Sequence, residues 1–314
     1  MFWATIAVIG GIVLTVLSAD KFVEGAASLA SRIGMSHLLI GLTIVSIGTS
    51  APELLVSAVA AFNGSPSLAL GNALGSNITN IALVLGSTAC IFPLIVPRKL
   101  VGREIPLLFL ISLTIFAAAY RGIFDLLAGS ILLAALPVIL YYLSKDELGS
   151  GDNIEIHSLS FGFSIVLTLG GLTGLLGSSE VLVWGAVEIA RFFGVSELVI
   201  GLTIVAVGTS LPELAASVAA ALKNKTDMAF GTVIGSNIFN SLGVIGIASI
   251  ISPFAIEPEV LRRDLPWMLG LTLLLYLLAR FSERRTFTRS YGILLLLLYV
   301  SYLWHLFATI VPNQ

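Results

Sequence analysis

The segment from Gly41 to Gly86 returns, 160 residues further on, between Gly201 and Gly246. GLTIVSIGTSAPELLVSAVAA answers GLTIVAVGTSLPELAASVAAA, and GNALGSNITNIALVLG answers GTVIGSNIFNSLGVIG, with about half of the aligned positions identical. The same offset pairs Asp20 with Glu180, Gly25-Ala26 with Gly185-Ala186, and Arg103-Glu104-Ile105-Pro106 with Arg263-Asp264-Leu265-Pro266. A duplication this long restricts the fold to one built from two like halves. Each half carries one glutamate, Glu53 or Glu213, inside an otherwise apolar stretch. Two copies of a buried polar motif point to a two-fold ion or substrate site.

Composition says what surrounds that site. Hydrophobic residues make up 57% of the 314 and charged residues only 11%, where soluble proteins carry roughly 25% charged residues. Long apolar stretches are transmembrane candidates. Ten spans are expected, near 2–19, 38–61, 68–92, 104–120, 123–143, 159–177, 197–222, 228–252, 265–280 and 290–311. The expected fold is an all-α integral membrane protein, its ten transmembrane helices arranged as two inverted five-helix repeats. Residues 1–143 would form the first repeat and 159–314 the second. The linker 144–158, with Lys145, Asp146, Glu147, Asp152 and Glu155, would join them. The first stretch lacks a basic leader and has a counterpart in the second repeat, so it reads as a mature helix and not a signal peptide.

Five spans per repeat is an odd number, so the second copy must enter the membrane in the opposite sense. With the N-terminus outside, one side holds Arg32, Arg98, Lys99, Arg103, Lys145, Lys223, Lys225, Arg280, Arg284, Arg285 and Arg289. The other holds only Arg121, Arg191, Arg262 and Arg263, with Lys21 unassigned. That bias places both termini outside the cytoplasm and the linker within it. A net charge of −2 offers no basic surface for nucleic acid. The single cysteine, Cys90, excludes an intramolecular disulfide and reads as a small packing residue. His37, His157 and His305 are scattered and have no spaced partner for a metal. Asp20, Glu24, Glu180 and Glu188 fall near the expected helix ends, as interfacial residues shaping an entrance. Arg280 to Arg289 form a cationic turn suited to orientation and to contact with anionic lipid. No cofactor and no obligatory protein partner is expected; membrane lipid is.

The chemistry concentrates in Gly48-Thr49-Ser50-Ala51-Pro52-Glu53 and in Gly208, Thr209, Ser210, Pro212 and Glu213. Proline lacks an N–H, so it should break each helix within the membrane. Irregular backbone at that depth is tolerated only where it is buried in protein or lines a cavity. Thr49 and Ser50 lie four and three residues before Glu53, on a shared helix face. In the following Gly-Ser-Asn-x-x-Asn segments, Ser76 and Asn80, and Ser236 and Asn240, are again four apart. Together these residues form a set of oxygen ligands with two carboxylates and no soft donor, which suits calcium and equally sodium, another hard cation of similar size. A doubly ionised empty site would cost at least ~2.5 kcal/mol per charge at the bilayer centre, which favours obligatory exchange. Ser57, Ser217, Gly75 and Gly235 have close helix packing as an equal alternative role.

Gly-Thr-Ser-x-Pro-Glu followed by Gly-Ser-Asn-x-x-Asn, twice in inverted halves, resembles the cation/calcium exchanger superfamily, in particular its prokaryotic sodium/calcium antiporters. The resemblance covers essentially the whole chain. It implies ten helices in two inverted halves, outward termini, and long, tilted first and sixth helices that slide to alternate access. It implies that Glu53 and Glu213 bind calcium with Thr49 and Thr209. Ser50, Ser76, Ser210 and Ser236, with carbonyls at Ser46 and Ala206, would complete flanking sodium sites. Potassium-dependent relatives carry aspartate where this chain has Asn240, which implies no potassium requirement and argues mildly against strict proton coupling. The expected function is a secondary active antiporter exchanging Na+ for Ca2+ across a bacterial or archaeal inner membrane. A Ca2+/H+ exchanger on the same scaffold is the alternative. A passive channel is disfavoured because the site closes within one chain. No Ser-His, Cys-His or His-Glu pairing in the spans suggests an enzyme.

Overall fold

A backbone in hydrocarbon has no water to bond to and must close its own hydrogen bonds, which this chain does with helices. The computed structural model describes residues 1–32, 34–145, 159–194, 206–282 and 285–310. The helices are α1 Phe2–Arg32, α2 His37–Thr49, α3 Ala51–Phe62, α4 Pro66–Ile91, α5 Leu100–Ala119 and α6 Leu126–Ser144. They continue as α7 Phe161–Phe192, α8 Ala206–Thr209, α9 Leu211–Leu222, α10 Thr226–Ile251, α11 Val260–Phe281 and α12 Arg289–Ile310. Among the described residues eight helices are long and apolar enough to cross a membrane, and α2 with α3 forms a ninth span bent by 44°. The expected seventh span, 197–222, is described only from Ala206, where the short α8 leads into the 12-residue α9. Its earlier part, and linker residues 146–158, lie outside the described residues.

Two expected boundaries were too short. The spans placed at 2–19 and 159–177 are the beginnings of helices of 31 and 32 residues. Asp20, Glu24 and Glu180 therefore lie inside helices, while Glu188 falls about one turn before the end of α7. Charge ended the apolar stretches in the sequence, yet i,i+3 pairs support the helix through the charged region. Lys21 Nζ lies 3.0 Å from Glu24 and Arg191 lies 2.9 Å from Glu188.

The helices α1 and α7 pack along each other with small residues at the seam. Gly185 meets Ala4, Gly11 meets Leu182, Gly171 meets Phe22, and Gly25 meets Thr168. A Cβ on Gly25 would stand 2.5 Å from the Thr168 backbone nitrogen, so the close approach requires glycine there. Thr15 donates to Ser178 at 3.0 Å, and the hydroxyls of Ser28 and Ser164 bond at 2.7 Å. As the residue number rises along α1 it falls along α7. These helices occupy equivalent places in the repeat and run antiparallel.

Two short ribbons join the halves. Strand β1 (Leu94–Ile95) pairs antiparallel with β4 (Thr286–Phe287), and β2 (Ile123–Phe124) with β3 (Phe254–Ala255). Strands β1 and β2 flank α5, a 20-residue helix about 30 Å long, so the ribbons lie at opposite ends of the bundle. Strand β3 is the repeat equivalent of β1, yet it sits at the other end. Buried aromatics seal both joints, with Phe124 against Phe254 and Phe230 against Phe287, each at 5.8 Å between ring centroids. The core lies around α4 and α10, the most buried of the spans, while α1, α6, α7 and α12 expose apolar faces such as Leu297, Val300 and Trp304.

Candidate ion-binding site

Both copies of the motif break at the serine with nearly the same backbone. Ser50 has φ −84° and ψ 8°, and Ser210 has φ −91° and ψ 5°. Pro52 and Pro212 follow at the start of α3 and α9, where a missing N–H costs no helical bond. Each glutamate therefore falls in the first turn of its helix. The partial positive charge at a helix N-terminus favours a carboxylate there. Glu53 and Glu213 are both 0% exposed and lie within Coulombic reach of one another.

The hydroxyls around them are arranged unequally. Ser50, from the first half, donates to Glu213 Oε1 at 2.9 Å, and Ser236 makes a long contact of 3.5 Å with the same oxygen. The mirror bond is not formed. Ser210 Oγ and both carboxylate oxygens of Glu53 are buried without a hydrogen-bond partner among the described residues. Glu213 Oε2 is also unpartnered. Thr49 donates to the Val45 carbonyl at 3.0 Å and Ser46 to that of Leu42 at 2.7 Å, which leaves their oxygens as acceptors. Thr209 closes α8, which Ala206 opens.

The third and fourth walls come from α4 and α10. Each widens into a π-helical stretch that begins at its asparagine, Asn80–Leu85 and Asn240–Val244. Such stretches recur at functional sites because they turn side chains out of the regular register. The stretch at Asn80 packs against α9, and the one at Asn240 against α3. Each asparagine thus opens a stretch that packs against the helix carrying the other half's glutamate. Both amides are fully buried, with neither oxygen nor nitrogen bonded among the described residues. Ser76 and Ser236 are buried one turn earlier. Gly235 has a packing role. A Cβ there would lie 2.5 Å from both the Leu42 carbonyl and the Ser46 hydroxyl, so glycine lets α10 approach α2.

Three asparagines not assigned from sequence take part. Asn72 Nδ2 donates to the Glu53 carbonyl at 3.2 Å and to Ser57 Oγ at 3.0 Å, tying α4 to α3 beside the carboxylate. Asn77 donates to Ser241 at 2.8 Å, and Asn237 to the Asn77 carbonyl at 3.3 Å, where α4 crosses α10. The Gly-Ser-Asn triplets signalled Asn77 and Asn237, whereas Asn72 has no matching asparagine in the second repeat. Arg103 with Glu104, at 2.7 Å, and Arg263 with Asp264, at 2.9 Å, form part-buried pairs where α5 and α11 begin. His305 accepts from Trp267 Nε1 at 3.0 Å. A cavity of about 300 Å³ borders Pro52, Thr209 and Pro212, with Ser179, Glu180 and Trp184 on its α7 wall. Glu180 thus lines a cavity beside Pro52 and Pro212.

A buried group of carboxylates, amides and hydroxyls, many of them unpartnered, is expensive unless something else bonds to them. The donor set fits a hard cation. Comparison with known proteins decides the family. The model of the sodium/calcium exchanger protein family matches residues 3–145 and 163–308. The chain belongs to this family. CaxA of Alkalimonas amylolytica is 43% identical over 98% of this chain and 100% of its own. The inner membrane protein YrbG of Escherichia coli is 36% identical over 88% of this chain and 89% of its own. The solved sodium-calcium exchanger NCX_Mj superposes with a TM-score of 0.83 at 36% identity, covering 95% of this exchanger-family chain and 96% of that one. The chain is accordingly a multi-pass membrane protein of an exchanger family.

Proposed function

We propose that this chain is a secondary antiporter that exchanges Na+ for Ca2+ through one site, alternately open to either side of a cell inner membrane. What supports the reading is the full burial of Glu53 and Glu213, one from each half, together with buried Asn80, Asn240 and Ser210 polar atoms that have no partner among the described residues. Two carboxylates neutralise one divalent ion or offset most of the charge of several monovalent ones. The two cations then compete for overlapping oxygens, and each displaces the other. The likeness to the sodium-calcium exchanger NCX_Mj supports the choice of ions, and the likeness to an inner membrane protein supports the location.

The scaffold proposed is ten helices in two inverted halves, 1–143 and 159–314, joined by a cytoplasmic linker, with both termini outside. The antiparallel α1–α7 pair and the ribbons at opposite ends of α5 support inversion. The positive-charge bias supports the orientation. In the proposed site Glu53 and Glu213 hold calcium with Thr49 and Thr209. Ser46, Ser50, Ser76, Ala206, Ser210, Ser236, Asn80 and Asn240 supply the remaining hydroxyl, amide and carbonyl oxygens.

The test is uptake of radioactive calcium into sodium-loaded proteoliposomes diluted into sodium-free medium at constant pH. The parent protein should take up calcium only with sodium inside, with or without potassium. Glu53→Gln and Glu213→Gln should each reduce that uptake by at least about 100-fold, since each leaves a buried cation short of a charge (about 3 kcal/mol). Uptake driven only by an imposed pH gradient would move the assignment to proton exchange. Calcium leaking without any counter-ion would make the protein a channel.

A further inference from the structure

Away from the ion site, a second cavity of about 380 Å³ opens where α5 begins and α11 ends. Pro97, Arg98, Val101 and Gly102 line one wall; Tyr276, Ala279, Arg280 and Arg285 line the other. The three guanidinium groups come from both halves, and none has a carboxylate within ion-pair distance among the described residues. The nearby Arg103 is already committed to Glu104. Like charges gathered around one cavity repel, and the arrangement persists only if a counter-charge or solvent offsets it. The adjoining turn from Arg280 to Arg289 carries four arginines against one glutamate, so the local excess is strongly positive. The backbone holds it in place, because Arg285, at φ 55°, accepts from the Val96 N–H at 2.8 Å where the β1–β4 ribbon ends.

We propose that this cavity binds the headgroup phosphate of an anionic phospholipid, which bridges Arg98 of the first half to Arg280 and Arg285 of the second. Depth argues for lipid over a soluble anion. Leu100 and Phe281 are the ends of apolar spans, so the guanidiniums stand at the level of the bilayer phosphates. Val101, half-buried in the cavity wall, and the exposed ring of Phe281 offer apolar surface beside it. Arginine suits the task through its forked donors, which match two phosphate oxygens at once. By charge bias this end faces the cytoplasm, where anionic lipids face basic clusters. The bound phosphate cancels the repulsion and reinforces the β1–β4 joint between the halves.

The test is thermal unfolding of the purified full-length chain in neutral detergent, titrated with phosphatidylglycerol, phosphatidylcholine or glycerol phosphate. Phosphatidylglycerol should raise the midpoint saturably and native mass spectrometry should retain one copy per chain, while phosphatidylcholine should do neither. The variant R98Q/R280Q should weaken the phosphatidylglycerol response at least 10-fold. Arg121→Gln, at the opposite end of α5, should leave it unchanged. Should R98Q/R280Q not fold, Arg98→Lys serves instead, with a few-fold loss expected because charge remains but the fork is gone. An undiminished response in the arginine variants, or equal stabilisation by phosphatidylcholine, would overturn the site. Glycerol phosphate acting at the same concentration as the lipid would overturn the membrane source and leave a soluble-anion site.

Discussion

At Glu53 and Glu213 the same side chain is held in two different ways. Glu213 accepts from Ser50 at 2.9 Å, while the carboxylate of Glu53 accepts from nothing among the described residues. A hydrogen bond to a charged group is worth about 1.5–3 kcal/mol. Ser50→Ala should therefore lower the ion-free unfolding midpoint by several degrees, and Ser210→Ala by much less. Equal losses in calorimetry would mean that the asymmetry is not a property of the resting protein. Instead, Glu53 is steadied through its backbone by Asn72, which also holds Ser57. In the second half Thr232 occupies that place and bonds its own helix at Met228, leaving Ser217 buried and unpartnered. Asn72→Ala should raise the calcium concentration for half-maximal binding about 3- to 10-fold, the loss of roughly one hydrogen bond. Thr232→Ala should leave it unchanged; the same scintillation binding assay reads both. The glutamates were legible in the sequence because the repeat displays them twice against apolar neighbours. Asn72 was not, since comparing the halves selects what they share and passes over what only one of them has.

The elements repeat this pattern of legible cores and hidden ends. Hydropathy located the apolar centres of the helices but stopped α1 at Asp20, because a charged residue reads as water-facing. The helix continues because Asp20 and Glu24 have partners outside it. Lys223, just past α9, lies 2.8 Å from Asp20 and 3.9 Å from Glu24, and Lys21 completes the group. The repeat equivalents are Asn63, Glu180, Trp184 and Val181, which cannot form such a network. One end of α9 is therefore clasped to α1 by charge, while the cavity beside Pro52 and Pro212 opens at its other end. An exposed pair contributes about 1 kcal/mol at most, enough to shift a balanced two-state equilibrium about 5-fold. Lys223→Met should loosen the clasped end and close the cavity more often. A cysteine at Val56 on the cavity wall, with Cys90→Ser, should then react with a soluble thiol reagent 2- to 5-fold more slowly. The swap D20K/K223D should restore the parent rate, and an unchanged rate in Lys223→Met would mean that the network does not bias the two states.

At the scale of the whole molecule, an odd number of spans per repeat and the distribution of arginine and lysine already implied two halves of opposite sense. The partnership of α1 with α7 was not legible, because packing between two apolar helices leaves no periodic signal beyond scattered small residues. Their seam of glycines, serines and threonines runs along both helices, whereas beyond the end of α9 the charged clasp ties Lys223 to α1. Contacts so distributed favour α1 and α7 moving together across the remaining helices as the proposed site changes sides. Two cross-links separate this from independent motion. Thr15 and Ser178 have hydroxyls 3.0 Å apart, a spacing that cysteines at both positions can bridge with little backbone movement. In a Cys90→Ser background that disulfide should leave sodium-driven calcium uptake within about 2-fold of the parent, because it joins two parts that travel together. Joining α1 to the core, with cysteines at Asp20 and Lys223 and a short bifunctional thiol reagent, should reduce uptake at least 10-fold, and the monofunctional analogue should not. If the Thr15–Ser178 bridge alone stops uptake and a reductant restores it, the two long helices shift against each other. The small-residue seam would then be the sliding surface, and not the weld that carries the pair as a unit.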